Sequence, residues 1–259
     1  MSKKFYSDKV FSVLEHKLMK LDKQKHEKGF LTSDVHFTRA PRKLDFKEDM
    51  KILLSCGAAS MKKELYEYFD YDVETVSLPG FIRSRAKINE SAFMELMDVM
   101  NKAYPCNKKY KGYRLLAVDG SDLKIFTNPN DEESYYPGTN GQKPYSLLHL
   151  NALYDLENHI YLDALIQKSR ANNENKALNA MVDRSEISRA ILLADRGYES
   201  YNNLAHLQEK GWYYLVRIKD NSKGIMSGFD LPKTDEFDFP MELLLTRRQT
   251  NDTKALCVS

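Results

Sequence analysis

Cysteine is scarce in this chain. Cys56, Cys106 and Cys257 are odd in number, far apart and never in a C-x-x-C pair, which excludes a disulfide framework and a zinc knuckle and fits a reducing, cytoplasmic compartment. Long apolar runs are missing too. No window approaches the roughly 18 apolar residues of a membrane span, and the basic start at Lys3 and Lys4 has no apolar segment behind it, so neither secretion nor a membrane partner is expected. With 11 Gly and 8 Pro, the sequence is too poor in both for collagen, a low-complexity linker or a turn-rich all-β design. Neither sign of charge dominates. The 39 Lys+Arg and 37 Asp+Glu leave a formal +2, which excludes a polyanion-wrapping tail protein. The absence of G-x-x-x-x-G-K-[ST] argues against ATP-driven chemistry. The six histidines form neither H-x-x-x-H nor His-hydrophobe-His, which argues against zinc and relaxase chemistry.

What is present is a globular composition. Hydrophobic residues make up 42% and aromatics 11%, and 259 residues suit one large domain or a small one joined to a medium one. The charge is uneven along the chain. Residues 1–30 hold eight lysines against four acids, and residues 99–118 carry Lys102, Lys108, Lys109, Lys111 and Arg114 with no acid. Such patches suit a phosphate backbone, and they equally suit an ordinary solvated face.

The first hundred residues read as helical. Phe93, Leu96, Met97 and Met100 repeat at helical spacing, with Asn89 placed as an N-cap. Earlier helices are expected over residues 46–55 and 61–69, and Pro79 opens a short one carrying Arg83 and Arg85. Exposed Arg83, Arg85 and Lys87 are the DNA-facing candidates of this unit. After Pro105 the pattern turns to strands. Residues 113–118 are an apolar run ending in Asp119-Gly120-Ser121-Asp122, followed by Leu123-Lys124-Ile125-Phe126 in strict alternation; further strands follow at 147–154, 160–167, 190–194 and 213–218, with helices over 175–182 and 201–209.

The order β-β-β-α-β-α-β makes the first three strands antiparallel neighbours and adds the later ones in parallel by right-handed crossovers. The result is an α/β fold with a ribonuclease-H-like mixed sheet. In that topology the first and fourth strands are adjacent, so Asp119 and Asp195 meet at one end of the sheet. Either aspartate alone is as well explained by a cap or a turn. Together, two carboxylates ~4 Å apart repel by roughly 4 kcal/mol at an effective dielectric of 20, so the pair calls for a cation or a shared proton. Short oxygen ligands suit Mg²⁺ or Mn²⁺, and such ions support in-line phosphoryl transfer. Asp122 falls on the opposite face by alternation.

Four segments carry a resemblance. They are Leu115-Leu116-Ala117-Val118-Asp119-Gly120-Ser121, Tyr135-Tyr136-Pro137-Gly138-Thr139-Asn140-Gly141-Gln142-Lys143, His149-Leu150-Asn151-Ala152-Leu153-Tyr154-Asp155 and Leu193-Ala194-Asp195-Arg196-Gly197-Tyr198. In this order they resemble the DDE transposases of the insertion-sequence-four family. The resemblance implies a DNA-cutting and strand-joining enzyme that uses Mg²⁺ or Mn²⁺ held by three acidic residues, with Asp119 as the first and Asp195 as the second. It implies double-stranded DNA partners, namely element ends and target, a homodimer that pairs two ends, and a cytoplasmic, nucleoid-associated location. Lys124, Lys143 and Arg196 are the cations placed to meet phosphates near the metals, although each also suits an ordinary surface.

The third acid is a glutamate in a Tyr-x-x-Arg-x-x-x-Glu-x-x-x-x-x-x-Lys helix. Here Tyr214 and Arg217 are followed by Asn221 at the glutamate position, in a segment that reads as a strand, and Glu236 and Glu242 lack the accompanying Tyr and Arg. Three parts are therefore expected. Residues 1–104 are a helical, DNA-binding domain, 105–222 an incomplete catalytic core, and 223–259 the start of a β-rich insertion whose first strand is 241–247. On this view the chain is C-terminally truncated and inactive alone. A non-catalytic DNA-binding remnant that competes with a full-length enzyme is the alternative.

Overall fold

The structure is a computed structural model. It describes residues 3–39, 43–57, 59–104, 107–139 and 141–219, then 224–226, 229, 232, 234, 236–238 and 240. The expected strand at 241–247, Glu242 and Asn221 lie outside the described residues. The chain divides into two compact units between residues 105 and 106.

The first unit is built of α1 (Lys3–Gln24), α2 (Phe46–Ser55), α3 (Met61–Tyr68), α4 (Leu78–Arg85) and α5 (Ser91–Ala103). Local chemistry sets several of their ends. Asp45 caps α2 by accepting from the Glu48 N–H at 2.7 Å, and Ser77 caps α4, with Pro79 in the first turn where no N–H is missed. Asn89 does not cap α5 as its position suggested. The cap residue is Glu90, and the Asn89 amide instead donates to the carbonyls of Gly29 and Leu31 at 2.9 and 2.8 Å, tying a distant loop to the helix entry. Leu18, Leu21, Phe46, Met50 and Leu96 form one buried cluster, and Ile52, Leu65, Val76 and Phe81 a second.

Asp49 on α2 is fully buried between these clusters' helices. The Ser84 hydroxyl of α4 donates to one carboxylate oxygen, while the other has no partner. Burial pushes its pKa from the ordinary 3.8 up to about 6, with the Ser84 hydrogen bond opposing the rise. The folded state therefore holds this proton more tightly than the unfolded chain. The resulting stabilisation is complete below the ordinary value and is lost as the pH rises through about 6. Asp49→Asn is expected to be the more stable protein at pH 7 by up to ~3 kcal/mol, with the gap closing below about pH 4. Urea unfolding at both pH values measures this, and an equal gap at the two would contradict it.

The second unit holds a six-stranded sheet: β1 (Arg114–Ile125), β2 (Tyr135–Tyr136), β3 (Tyr145–Asp155), β4 (Ile160–Lys168), β5 (Ala190–Ala194) and β6 (Tyr213–Val216). β1 pairs antiparallel with β3 and parallel with β5, β5 pairs parallel with β6, and both β4 and the short β2 pair antiparallel with the outer side of β3. The alternation of antiparallel hairpins and helix-linked parallel strands is the expected one. β2, inside the loop over 127–144, is an addition to it. α6 (Glu174–Arg184) and α7 (Tyr201–Glu209) supply the residues that pack on the even-numbered face of β1. Leu116, Val118, Leu153, Leu192, Leu178, Met181 and Trp212 are buried together there, and the indole N–H of Trp212 donates to the Ile187 carbonyl at 2.8 Å.

The apolar run at 113–118 and the alternating segment at 123–126 belong to one strand, continuous through Asp-Gly-Ser-Asp in spite of its turn composition. Its ladder with β3 runs unbroken from Leu116 opposite Asp155 to Ile125 opposite Ser146. Cross-strand pairing over that length outweighs the weak strand preference of the four residues. Among the described residues, no helix is long and apolar enough to cross a membrane.

Candidate active site

The apolar half of β1 anchors the strand, and its polar half emerges toward solvent. Leu116 and Val118 are buried, whereas Asp119 is exposed and its carboxylate accepts from the Gly120 N–H at 2.8 Å. β5 ends at Ala194, and exposed Asp195 caps the short 3₁₀ turn Arg196–Tyr198 by accepting from the Gly197 N–H at 2.7 Å. The parallel register sets the two acids against each other. Arg114 faces Ala190 and Ala117 faces Leu193; Asp119 and Asp195 each stand two residues beyond the last pair of this ladder, so both lie at the same end of the sheet. Asp119 belongs to the odd-numbered face of β1, and Asp195 follows the end of β5. Asp195 also borders an open depression with Leu193, Val216 and Arg217.

Asp122 lies on the other face, as alternation requires. There its carboxylate meets the His149 Nδ1 at 2.9 Å, and His149 Nε2 stands 3.0 Å from a carboxylate oxygen of Glu174, the first residue of α6. His149 is buried. Glu174 reaches toward both aspartate-bearing segments. A Cβ at Gly120 would lie 2.6 Å from Glu174 Oε1 and 2.6 Å from His149 Nε2, and one at Gly197 would lie 3.2 Å from Glu174 Oε2 and 3.0 Å from Asp195 Oδ1. Two side-chain-free positions thus leave the space that the carboxylates occupy.

Tyr198, just beyond, is buried, and its hydroxyl has no hydrogen-bond partner. Burial pushes the phenol's pKa up, and the negative charges of Glu174, Asp119 and Asp195 push it further. Among the described residues, no three His, Cys, Asp or Glu side chains are gathered closely enough to hold a metal ion as they stand.

The candidate cations are distributed differently from expectation. Arg83 is exposed at the end of α4, but Arg85 and Lys87 are only half-exposed. Arg85 lies over the Phe81 ring and Lys87 over the Phe37 ring, at 6.0 and 5.3 Å from the centroids. Arg196 directly follows Asp195 and is exposed. Lys124 is exposed but stands five residues beyond Asp119 along β1, roughly 16 Å at strand rise and on the opposite face. Lys143 is exposed in the loop before β3. Of the second-unit cations, Arg196 alone adjoins an aspartate of the pair in the chain. Tyr214 and Arg217 belong to β6 and the residue after it, so no helix begins there.

Glu174, His149 and Tyr198 went unrecognised as site residues in the sequence pattern. One signal for His149 was available: by alternation it shares the inward face of β3 with Asn151 and Leu153, where an isolated histidine needs a partner. Glu174 offered only its place behind the N-cap Asn173, which every well-capped helix has.

Residues 110–256, more than half of the chain, match the family described as Transposase DDE domain. Among solved structures, the chain is similar to the Mos1 transposase paired-end complex with left transposon end, at 16% identity and a TM-score of 0.24. That likeness covers 74% of this chain and 64% of the other, so the chain spans less than two thirds of this solved relative. No curated protein matches the sequence.

Proposed function

Because the chain belongs to the transposase DDE domain family, we propose that it binds the ends of an insertion sequence and carries out divalent-metal-dependent cleavage and transfer of DNA strands. The fold that goes with this reading is ribonuclease-H-like, preceded by a helical DNA-binding unit, and the family within the class is the insertion-sequence-four one. The observation that supports the reading is the parallel pairing of β1 with β5, after which Asp119 and Asp195 both stand exposed at one end of the sheet. These two carboxylates would hold Mg²⁺ or Mn²⁺, and such an ion, when bound, polarises the phosphate and favours an attacking oxygen. The residues of the chain do the rest. The two carboxylates would hold the ion, and Arg196 offers a positive charge to the flanking backbone.

A second reading is a chain that occupies DNA without cutting it, in competition with a full-length enzyme. What favours it is that no three acidic, histidine or cysteine side chains converge on one point among the described residues. One assay separates the two. Linear DNA carrying an element end is incubated with the purified chain and Mn²⁺, and binding and strand breakage are followed side by side; breakage supports the first reading, and binding without breakage the second.

Binding itself is expected to be steeply dependent on salt. If four to six cations meet phosphates, the logarithm of affinity falls against the logarithm of salt with a slope of about −4 to −5. Arg83→Ala is then expected to lower that slope by about one and to weaken binding to all sequences alike. A slope unchanged in the variant would remove Arg83 from the interface.

A further inference from the structure

We propose that a cluster of tyrosines and cations where β1, β5 and β6 begin is a platform for an unpaired strand of nucleic acid. The inference rests on the DNA-binding reading above and assigns it a surface at the end of the β1–β5 ladder opposite to the aspartates. Tyr113 precedes Asp119 by six residues, ~20 Å at strand rise. The basic run over 108–114 is brought to this end by the fold. Lys108, Lys109, Tyr110 and Lys111 are all exposed, and none of these lysines pairs with a carboxylate among the described residues. The segment is held in place by its backbone. The Lys108 N–H donates to Asn158 Oδ1 at 3.1 Å, and its carbonyl accepts from Asn158 Nδ2 at 3.0 Å. Tyr110 and Tyr113 exchange both of their backbone hydrogen bonds at 2.9 Å, across a two-residue turn in which Lys111 and Gly112 have φ of 46° and 86°. Glycine and asparagine favour that geometry, yet a lysine stands at its first position, with its ammonium 5.5 Å from the centre of the Tyr110 ring.

The neighbouring strands extend the cluster. Arg189, just before β5, lies 4.6 Å from the centre of the Tyr113 ring and donates to its hydroxyl at 3.0 Å, which leaves the other guanidinium donors for an anion. Tyr113 meets Tyr213, the first residue of β6, edge to face at 5.3 Å. Tyr213 is 62% exposed, and with Tyr214, Gln208 and Gly211 it borders an open depression of about 490 Å³. Cations alone would suit any polyanion. The rings left open among them select the partner, because unpaired bases stack on exposed aromatics, whereas a duplex keeps its base faces covered and an acidic peptide has none. A purely structural cluster accounts for the contact of Tyr113 with Tyr213, but not for the open remainder of the Tyr213 ring or for a lysine at the left-handed position of the turn.

The test is titration of a fluorescein-labelled oligothymidine with the full chain, read by anisotropy over a range of salt, beside the same strand annealed to its complement and with polyglutamate as competitor. Circular dichroism follows folding. Tyr213→Ala is expected to weaken binding of the single strand at least about fivefold and to leave the duplex little affected, while Tyr213→Phe, which keeps the ring, binds like the parent. Tyr213→Leu, with apolar bulk but no ring, takes the place of Tyr213→Ala should that variant fail to fold. The double variant Lys109→Ala with Lys111→Ala is expected to lower the salt slope for the single strand by about 1.4. If the parent binds the single strand while the Tyr213 and lysine variants bind it equally well, the platform is overturned and the DNA-binding reading stands on other surfaces. Equal losses on single strand and duplex, or displacement of the strand by polyglutamate at matched charge, overturn base stacking in favour of a general polyanion surface. If the parent binds neither single strand nor duplex, the DNA-binding reading itself fails and the platform with it.

Discussion

Asp119→Asn is expected to leave DNA binding intact and to reduce Mn²⁺-dependent strand cleavage by about a thousandfold, equivalent to ~4 kcal/mol of transition-state stabilisation. The substitution is nearly isosteric and sits on an exposed stretch of β1 whose ladder with β3 is made by backbone groups, so the fold has little reason to respond. What changes is one negative charge at the end of the sheet where Asp195 also stands. Asp195→Asn removes the other, but it also alters the acceptor that caps the turn at Gly197, so Asp119 is the cleaner probe. Gel assays of breakage and filter binding on the same preparations give the two numbers. A variant that cuts as fast as the parent would show that Asp119 takes no part in the chemistry, whatever its neighbour does. Loss of binding and cutting together would mean that the side chain touches DNA directly.

Much of this site can be read from the amino-acid pattern, because its main elements are periodic. Alternation along 147–154 and 160–167 and the apolar run at 190–194 identify strands, and the connection lengths dictate which are antiparallel and which parallel. The adjacency of the strands that lead to Asp119 and Asp195 follows from that topology. The extent of β1 does not. Asp119, Gly120, Ser121 and Asp122 are individually turn residues, and what keeps them extended is a partner strand some 30 residues away, beyond the reach of any local window. The same cause hides the Asp122–His149–Glu174 chain of contacts. Its members come from β1, β3 and α6 and meet only after the sheet and its covering helix are assembled.

The cations show a different limit. Composition marks Arg83, Arg85 and Lys87 as equals, yet two of them lie against aromatic rings, and this depends on where Phe37 and Phe81 arrive in space. Asn89 is a comparable case. Its position before an amphipathic run is that of a cap, but the carbonyls of Gly29 and Leu31 claim its amide. Local signals name the residue types available, and tertiary contacts decide which of several partners each one takes.

Asp155→Ala is expected to destabilise the second unit by ~3–5 kcal/mol, the cost typical of stranding one partner of a buried ion pair. Asp155 ends β3, is fully buried, and pairs with the Arg114 guanidinium at the start of β1. The same carboxylate accepts from the backbone N–H groups of Glu157 and Asn158 at 3.0 and 2.8 Å and from the Asn158 side chain at 2.9 Å, closing the turn into β4. Truncation leaves these donors unsatisfied as well, each a further loss of order 1 kcal/mol or more where water cannot reach. The consequence extends to the site, because Arg114 is also the residue that faces Ala190 in the β1–β5 ladder. A loosened Arg114 frees the first rung of the β1–β5 ladder, beyond whose other end Asp119 and Asp195 stand. Chemical denaturation is expected to show the lower midpoint in Asp155→Ala, and Asp155→Asn, which keeps an acceptor but loses the charge, is expected to fall between the two. Mn²⁺ titration of the folded fraction then tells whether the rung matters: binding weaker than in the parent, at a denaturant concentration where both are folded, is the result expected if the register is held from Asp155, and equal binding would confine the role of that residue to the β3–β4 turn.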